Sequence, residues 1–163
     1  MKTTKLLLSA CVLLLCAAPA GAEEITAPSP DGKLKVIVSY DRSAPLTYRV
    51  EKEGKLVLAP SALGLSVEGK DMGARVHANG PVTTATIREQ YPIYGNHAVA
   101  RNHCEQYSIP LKASGIPYVL QLRVYDDGVA VRYLARCKRP LRVDGDLTSW
   151  TIPKKAMAYW SDY

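Results

Sequence analysis

The residues that could do chemistry in this chain are few and scattered. Asp126 and Asp127 are adjacent carboxylates followed by Gly128. Paired-carboxylate hydrolysis needs two carboxyl groups facing each other across a sugar, roughly 5–10 Å apart. Neighbours on a tight turn point in different directions, so this pair reads as turn chemistry. The histidines, His77, His97 and His103, fall at no metal-ligand spacing. Asp144-Gly145-Asp146 is too short for a calcium loop. No G-x-S-x-G elbow, Gly-rich phosphate loop or H-E-x-x-H is present. Tyr91, Tyr94, Tyr159 and Trp160 could stack on sugar rings, but aromatic residues also dominate cores and domain interfaces. No catalytic residue and no metal ligand is assigned.

The first residues carry a different message. Lys2 and Lys5 precede an apolar stretch from Leu6 to Ala18, and Ala20-Gly21-Ala22 follows with small residues. That is the pattern of a secretory signal cleaved after Ala22, too short to span a bilayer. Leu8-Ser9-Ala10-Cys11 also looks like a lipoprotein box, but it would leave an apolar region of only about five residues, below the usual range. The expected organisation is a signal over residues 1–22 and a mature domain over 23–163, exported to the periplasm or secreted, with no stable membrane span. Of the four cysteines, Cys104 and Cys137 remain in the mature chain. Export makes a disulfide between them possible, and two isolated thiols are the open alternative. The formal charge of +6 includes Lys2 and Lys5. The one basic cluster, Arg136, Lys138, Arg139 and Arg142, is broken by Pro140. A nucleic-acid partner is not expected, because it needs a continuous basic face.

The elements that must position these residues read as strands throughout. Short runs rich in Val, Ile, Thr and Tyr are broken every eight to twelve residues or so by turn signals, the pattern of an all-β sandwich or barrel. Thr26–Gly32 is read as a turn-rich entry. Lys33–Tyr40 alternates, which puts Leu34, Val36, Val38 and Tyr40 on one core-facing side. Leu46–Glu51 is the next strand, and Lys52–Lys55 a hairpin turn into Leu56-Val57-Leu58, ended by Pro60-Ser61. Leu63–Val67 is a further strand, Gly69–Gly80 a loop, and Val82–Glu89 a weak strand interrupted by Tyr91–Asn96. Val99–Leu111 is predicted as a long strand, with a turn at Gly115-Ile116-Pro117. The hairpin about Asp126-Asp127-Gly128 joins a face of Leu120, Leu122 and Val124 to one of Val129, Val131 and Tyr133. Its Asp-Gly step is expected at positive φ. Trp150–Pro153 and Ala156–Trp160 are read as last strands. An apolar run so near Ser161-Asp162-Tyr163 points to an incomplete domain whose final strands lack a neighbour.

Four stretches together carry a resemblance. They are Ser29-Pro30-Asp31-Gly32-Lys33-Leu34; Leu46-Thr47-Tyr48 with Gly54–Leu58 and Pro60–Leu65; Tyr94-Gly95 with Arg101-Asn102-His103; and Arg123–Tyr133. In this order and spacing they resemble the amino-terminal domain of glycoside hydrolase family 97, which includes α-glucosidases and α-galactosidases. The resemblance implies a β-super-sandwich (galactose-mutarotase-like) followed, in a full-length enzyme, by a (β/α)8 barrel that holds the catalytic carboxylates. It implies a calcium ion in that enzyme and an oligosaccharide substrate. The chain itself is then an accessory domain, non-catalytic alone, that supports the barrel and shapes its pocket. The pocket or barrel-interface candidates are Tyr94, Asn96, Arg101, Asn102, His103, Tyr159 and Trp160. Cys104, Gln106 and Asn96 stand where the family commonly has an aromatic, a glutamate and an acidic residue. A self-standing secreted carbohydrate-binding sandwich is the alternative from another class.

Overall fold

The computed structural model describes residues 22–95, 98–135 and 137–157. The fold is all-β, with twelve strands among the described residues. Strands β1 (Glu23–Pro28), β2 (Leu34–Tyr40), β3 (Thr47–Lys52) and β4 (Lys55–Ala62) form an antiparallel sheet in chain order. The second sheet is built on β9 (Val99–Ala113). One edge of β9 pairs with β10 (Ile116–Val124), which pairs with β11 (Val129–Leu134). The other edge of β9 takes β7 (His77–Ala78) and β8 (Thr83–Pro92) in succession. A small third sheet, in the order β12-β5-β6, contains β5 (Leu65–Val67), β6 (Lys70–Asp71) and β12 (Val143–Asp146).

One core joins the sheets. Leu34, Val36, Val38 and Tyr40 of β2 and Tyr48 and Val50 of β3 pack in the same cluster as Tyr107, Ile109, Leu111 and Ala113 of β9 and Tyr118, Leu120, Leu122 and Val124 of β10. These residues recur at every second position, so the pleat delivers all of them to the space between the two sheets. Polar ends of the tyrosines stitch the layers. Tyr107 Oη donates to the Pro28 carbonyl (3.0 Å) and the buried Tyr118 Oη to the Met72 carbonyl (2.9 Å).

Hairpin turns follow local chemistry. Glu53-Gly54, Glu68-Gly69 and Ser114-Gly115 all have positive φ at both central residues, which matches the twist of the strands they join. The turn expected at Gly115-Ile116-Pro117 thus forms one residue earlier, at Ser114-Gly115, and Ile116 and Pro117 already belong to β10. The aspartate turn differs from expectation. Asp126 and Asp127 are its central pair, the Tyr125 N–H donates to the Gly128 carbonyl (2.8 Å), and Gly128 does not adopt positive φ.

Other boundaries move for identifiable reasons. Thr26–Pro28, read as the start of a turn-rich entry, close β1, an edge strand whose Ile25 and Ala27 lie opposite Val38 and Val36. Pro28 is tolerated there because it closes an edge strand. The turn proper is Ser29–Lys33, where Ser29 Oγ accepts from the Leu34 N–H and donates to Asp31 Oδ1 (2.6 Å). β4 runs past Pro60 to Ala62, because Pro60 falls where the β3–β4 register shifts and no ladder bond is required of it. The predicted Gly69–Gly80 loop holds β6 and β7 and buries Met72 and Val76. β8 continues through Tyr91 to Pro92, paired with Val99. Val143–Asp146 is a strand the sequence reading did not contain. In Trp150–Pro153 only Thr151 pairs, by a single bridge to Ala59, and Ala156 and Met157 are not in a strand. Residues 158–160 of that predicted last strand lie outside the described residues, as do residues 1–21 of the expected signal segment 1–22.

Candidate functional site

β9 is longer than its inner partner. Its Glu105–Ala113 portion is flanked by β10, whose pairing stops at Val124 opposite Glu105. Its Val99–Cys104 portion pairs only with Pro92–Ile87 of β8. The result is a two-stranded ribbon projecting past the end of β10. A free two-stranded ribbon is marginally stable in water, so contacts at its root matter.

Alternation gives the ribbon two faces. One carries Arg88, Gln90, Arg101 and His103, in cross-strand pairs Arg88–His103 and Gln90–Arg101. Arg88 Nη2 lies 3.1 Å from His103 Nε2. A guanidinium has no acceptor, so as a hydrogen bond this contact has Arg88 donating and His103 Nε2 accepting. The other face carries Ile87, Glu89, Tyr91, Asn102 and Cys104. Asn102 is its joint. Its Nδ2 donates to Glu89 Oε2 (2.8 Å), while its Oδ1 accepts from Tyr125 Oη (3.2 Å) and, weakly, from Cys104 Sγ (3.9 Å). Cys104 is fully buried at this root, and burial is the main cause that holds the Tyr125 phenol above its ordinary pKa. Toward the tip the apolar side chains turn outward: Tyr91, Ile93 and Val99 are exposed, and Tyr94 is completely so.

Four predicted site residues, Tyr94, Arg101, Asn102 and His103, therefore fall on one ribbon. Asn96, Tyr159 and Trp160 lie outside the described residues, as does His97. Cys104 and Cys137 are free thiols, the first buried on β9 and the second exposed before β12. Asp126 serves the hairpin: its Oδ1 accepts from the Asp31 N–H (3.0 Å) and its carbonyl from Lys52 Nζ (3.4 Å). Hydrogen bonds from Ser29 first, then from the Lys33 N–H, hold the Asp31 carboxyl below its usual range. Among the described residues no three His, Cys, Asp or Glu side chains converge to hold a metal ion. These residues thus do not fit the calcium that the resemblance implies.

A second concavity escaped the sequence reading. A cleft of about 470 Å³ opens between the sheets, lined by Tyr48, Leu58, Val131, Tyr133, Asp146 and Trp150 among others. Trp150 is two-thirds exposed, and Tyr133 Oη is buried with no hydrogen-bond partner among the described residues. Burial pushes the Tyr133 phenol up to about 12. Alternation had marked Tyr48 and Tyr133 only as core-facing. The cleft arises because β12 and the Thr148–Trp150 segment approach from far along the chain, which no local pattern encodes.

Comparison with known proteins agrees with this architecture. The family model for the Glycosyl-hydrolase 97 N-terminal domain matches residues 28–163. A retaining alpha-galactosidase of Bacteroides thetaiotaomicron is 29% identical over 160 residues, covering 96% of this chain and 23% of that protein. A probable retaining alpha-galactosidase of Streptomyces bingchenggensis is 28% identical over 171 residues, covering 99% and 27%. Among solved structures, a Glycoside Hydrolase Family 97 enzyme in complex with acarbose, from a Pseudoalteromonas species, superposes with a TM-score of 0.70 at 20% identity over 80% of this chain and 20% of that one. A beta-arabinopyranosidase superposes with a TM-score of 0.72 at 22% identity over 80% and 22%. The chain thus spans about a quarter of the length of the curated relatives it matches. With the match covering nearly all of the predicted mature region, this chain belongs to the Glycosyl-hydrolase 97 N-terminal family.

Proposed function

We propose that the chain is the accessory β-sandwich domain of an exported glycoside hydrolase, non-catalytic by itself, which supports a catalytic (β/α)8 barrel and helps shape its oligosaccharide pocket. The observation that carries this reading is the projecting ribbon. Arg101, Asn102 and His103 sit on a projecting ribbon anchored at Asn102, and the tip presents Tyr91, Ile93, Tyr94 and Val99 outward. Exposed aromatic and aliphatic side chains of that kind mark surface that a partner covers. The α-galactosidase names of the relatives favour an α-glycoside as the parent substrate. The calcium of a full-length enzyme is proposed to rest on residues other than those described here, and no step is routed through it. Export to the periplasm or beyond rests on the Lys2–Ala22 signal pattern. The test is direct. The purified chain, assayed with nitrophenyl α-galactoside and α-glucoside, is expected to give no turnover above buffer. Turnover by the chain alone overturns the proposal.

A further inference from the structure

The outer face of the second sheet, turned away from the core, carries a polar ladder that the accessory role does not use. Gln121 is its centre and is more than nine-tenths buried. Its Nε2 donates to Ser108 Oγ (3.3 Å), and its Oε1 accepts from Arg132 Nε (2.6 Å). One step along β10, Arg123 Nε donates to Gln106 Oε1 (3.0 Å). Among the described residues each guanidinium is thereby held through Nε, and Arg123 also lies beside the Tyr125 hydroxyl. No carboxylate among the described residues forms an ion pair with either. Register places the two together: Arg123 lies opposite Ala130 and Gln121 opposite Arg132, so the arginines are diagonal neighbours, about 7–8 Å apart between backbones. Ala130, opposite Arg123 and next to Arg132 on the same face of β11, is exposed and small. A concavity of about 220 Å³ lies there, lined by Gln121, Arg123, Tyr125, Ala130 and Arg132.

Two guanidiniums held through Nε, with no counter-charge among the described residues, suit a planar carboxylate, which a guanidinium can grip through two parallel hydrogen bonds. What the carboxylate is attached to is indicated next door. Across Gln121 the same face continues into a groove of about 390 Å³, where Pro110, Pro117, Val119 and Leu134 supply apolar wall and Asn79 and Ser108 supply hydrogen-bonding groups. Apolar faces interleaved with hydroxyl and amide partners suit a sugar ring. We propose that this face binds an acidic oligosaccharide, with a uronate carboxylate held by Arg123 and Arg132 and the adjoining sugar along the groove beyond Gln121.

The test is calorimetric titration of the purified full chain with digalacturonate, its neutral methyl ester, and citrate, at low and high salt. Digalacturonate is expected to bind in a salt-sensitive manner, and the ester about tenfold more weakly or less, the usual loss when hydrogen bonds to a charged group are removed. Citrate is expected to bind more weakly than digalacturonate because it leaves the groove empty. Ala130→Glu places a carboxylate beside the arginines and is expected to abolish binding, while Ala130→Gln retains it. Thermal melts of both variants verify the fold, and Arg132→Gln provides an independent loss of binding at an exposed position. Absence of digalacturonate binding, equal binding of the ester or of citrate, or undiminished binding by folded Ala130→Glu each overturns the proposal.

Discussion

Replacing Gly73 by alanine should destabilise the sandwich strongly, although the change adds one methyl group at a position far from the ribbon. A Cβ built at Gly73 stands 2.2 Å from the Leu63 carbonyl oxygen and 3.2 Å from Gly64 Cα, both main-chain atoms. Backbone cannot rotate away as a side chain does, so the two segments must part by about 1 Å to restore ordinary contact distance. Parting them strains the two hydrogen bonds that run through Leu46: Leu46 N–H to the Gly73 carbonyl (2.7 Å) and Leu63 N–H to the Leu46 carbonyl (2.9 Å). Leu46 and Leu63 are both buried in the core and would be dragged out of register. Overpacking costs about 1–3 kcal/mol, and one or two weakened hydrogen bonds add about 1 kcal/mol each. The expected loss is therefore about 2–5 kcal/mol. Urea unfolding followed by tryptophan fluorescence measures it, with Gly128→Ala as the control. Nothing lies within 4 Å of a Cβ at Gly128, and its φ is not left-handed, so that change should stay within about 0.5 kcal/mol. If Gly73→Ala matched its control, the inference that the Leu63–Gly64 and Asp71–Gly73 segments touch through main-chain atoms would be wrong.

Other outcomes follow from particular contacts. Leu122→Ala, at a fully buried β10 position between the sheets, should cost about 2–5 kcal/mol in the same unfolding assay. Asn102→Ala removes the joint between Glu89 and Tyr125 and should speed thiol labelling of buried Cys104, read by peptide mass mapping, while exposed Cys137 labels rapidly in both proteins. Burial raises the phenols of Tyr40 and Tyr133 to about 12 and also raises that of Tyr118. Between about pH 10 and 12 the unfolded chain has then lost protons that the folded chain keeps, so stability should fall as pH rises through that window. Tyr133→Phe removes a buried hydroxyl that has Thr148 nearby but no well-formed hydrogen bond among the described residues, and should leave neutral-pH stability unchanged or raise it by about 1 kcal/mol, with a shallower alkaline loss. Replacing Tyr91 and Tyr94 together by serine should leave the melting temperature nearly unchanged, because both are exposed at the ribbon's tip. A fall in melting temperature as large as that of Leu122→Ala would contradict their placement.

Local sequence determined the material of this fold. Alternation fixed which side of β2, β3, β10 and β11 faces inward, because the pleat turns a period of two into two faces whatever the strands later pair with. Gly54 and Gly115 marked the hairpins to within a residue or two, because glycine takes positive φ at no steric cost, whereas the positive φ of Glu53 and Ser114 is imposed by the strands they join. The four family-like stretches identified the domain without any contact being known. Tertiary structure decided the rest. Whether Pro60 and Pro92 ended their strands depended on a bulge and an edge, and both belong to partners rather than to proline. Whether Trp150–Pro153 formed a strand depended on how far β4 would pair with it, and only Ala59 and Thr151 met. The candidate site divided in the same way. Arg101, Asn102 and His103 were visible as a motif, but their projection on a ribbon follows from β9 outrunning β10. The Arg123–Arg132 pair was invisible, since eight residues of sequence separate side chains that one antiparallel register makes neighbours.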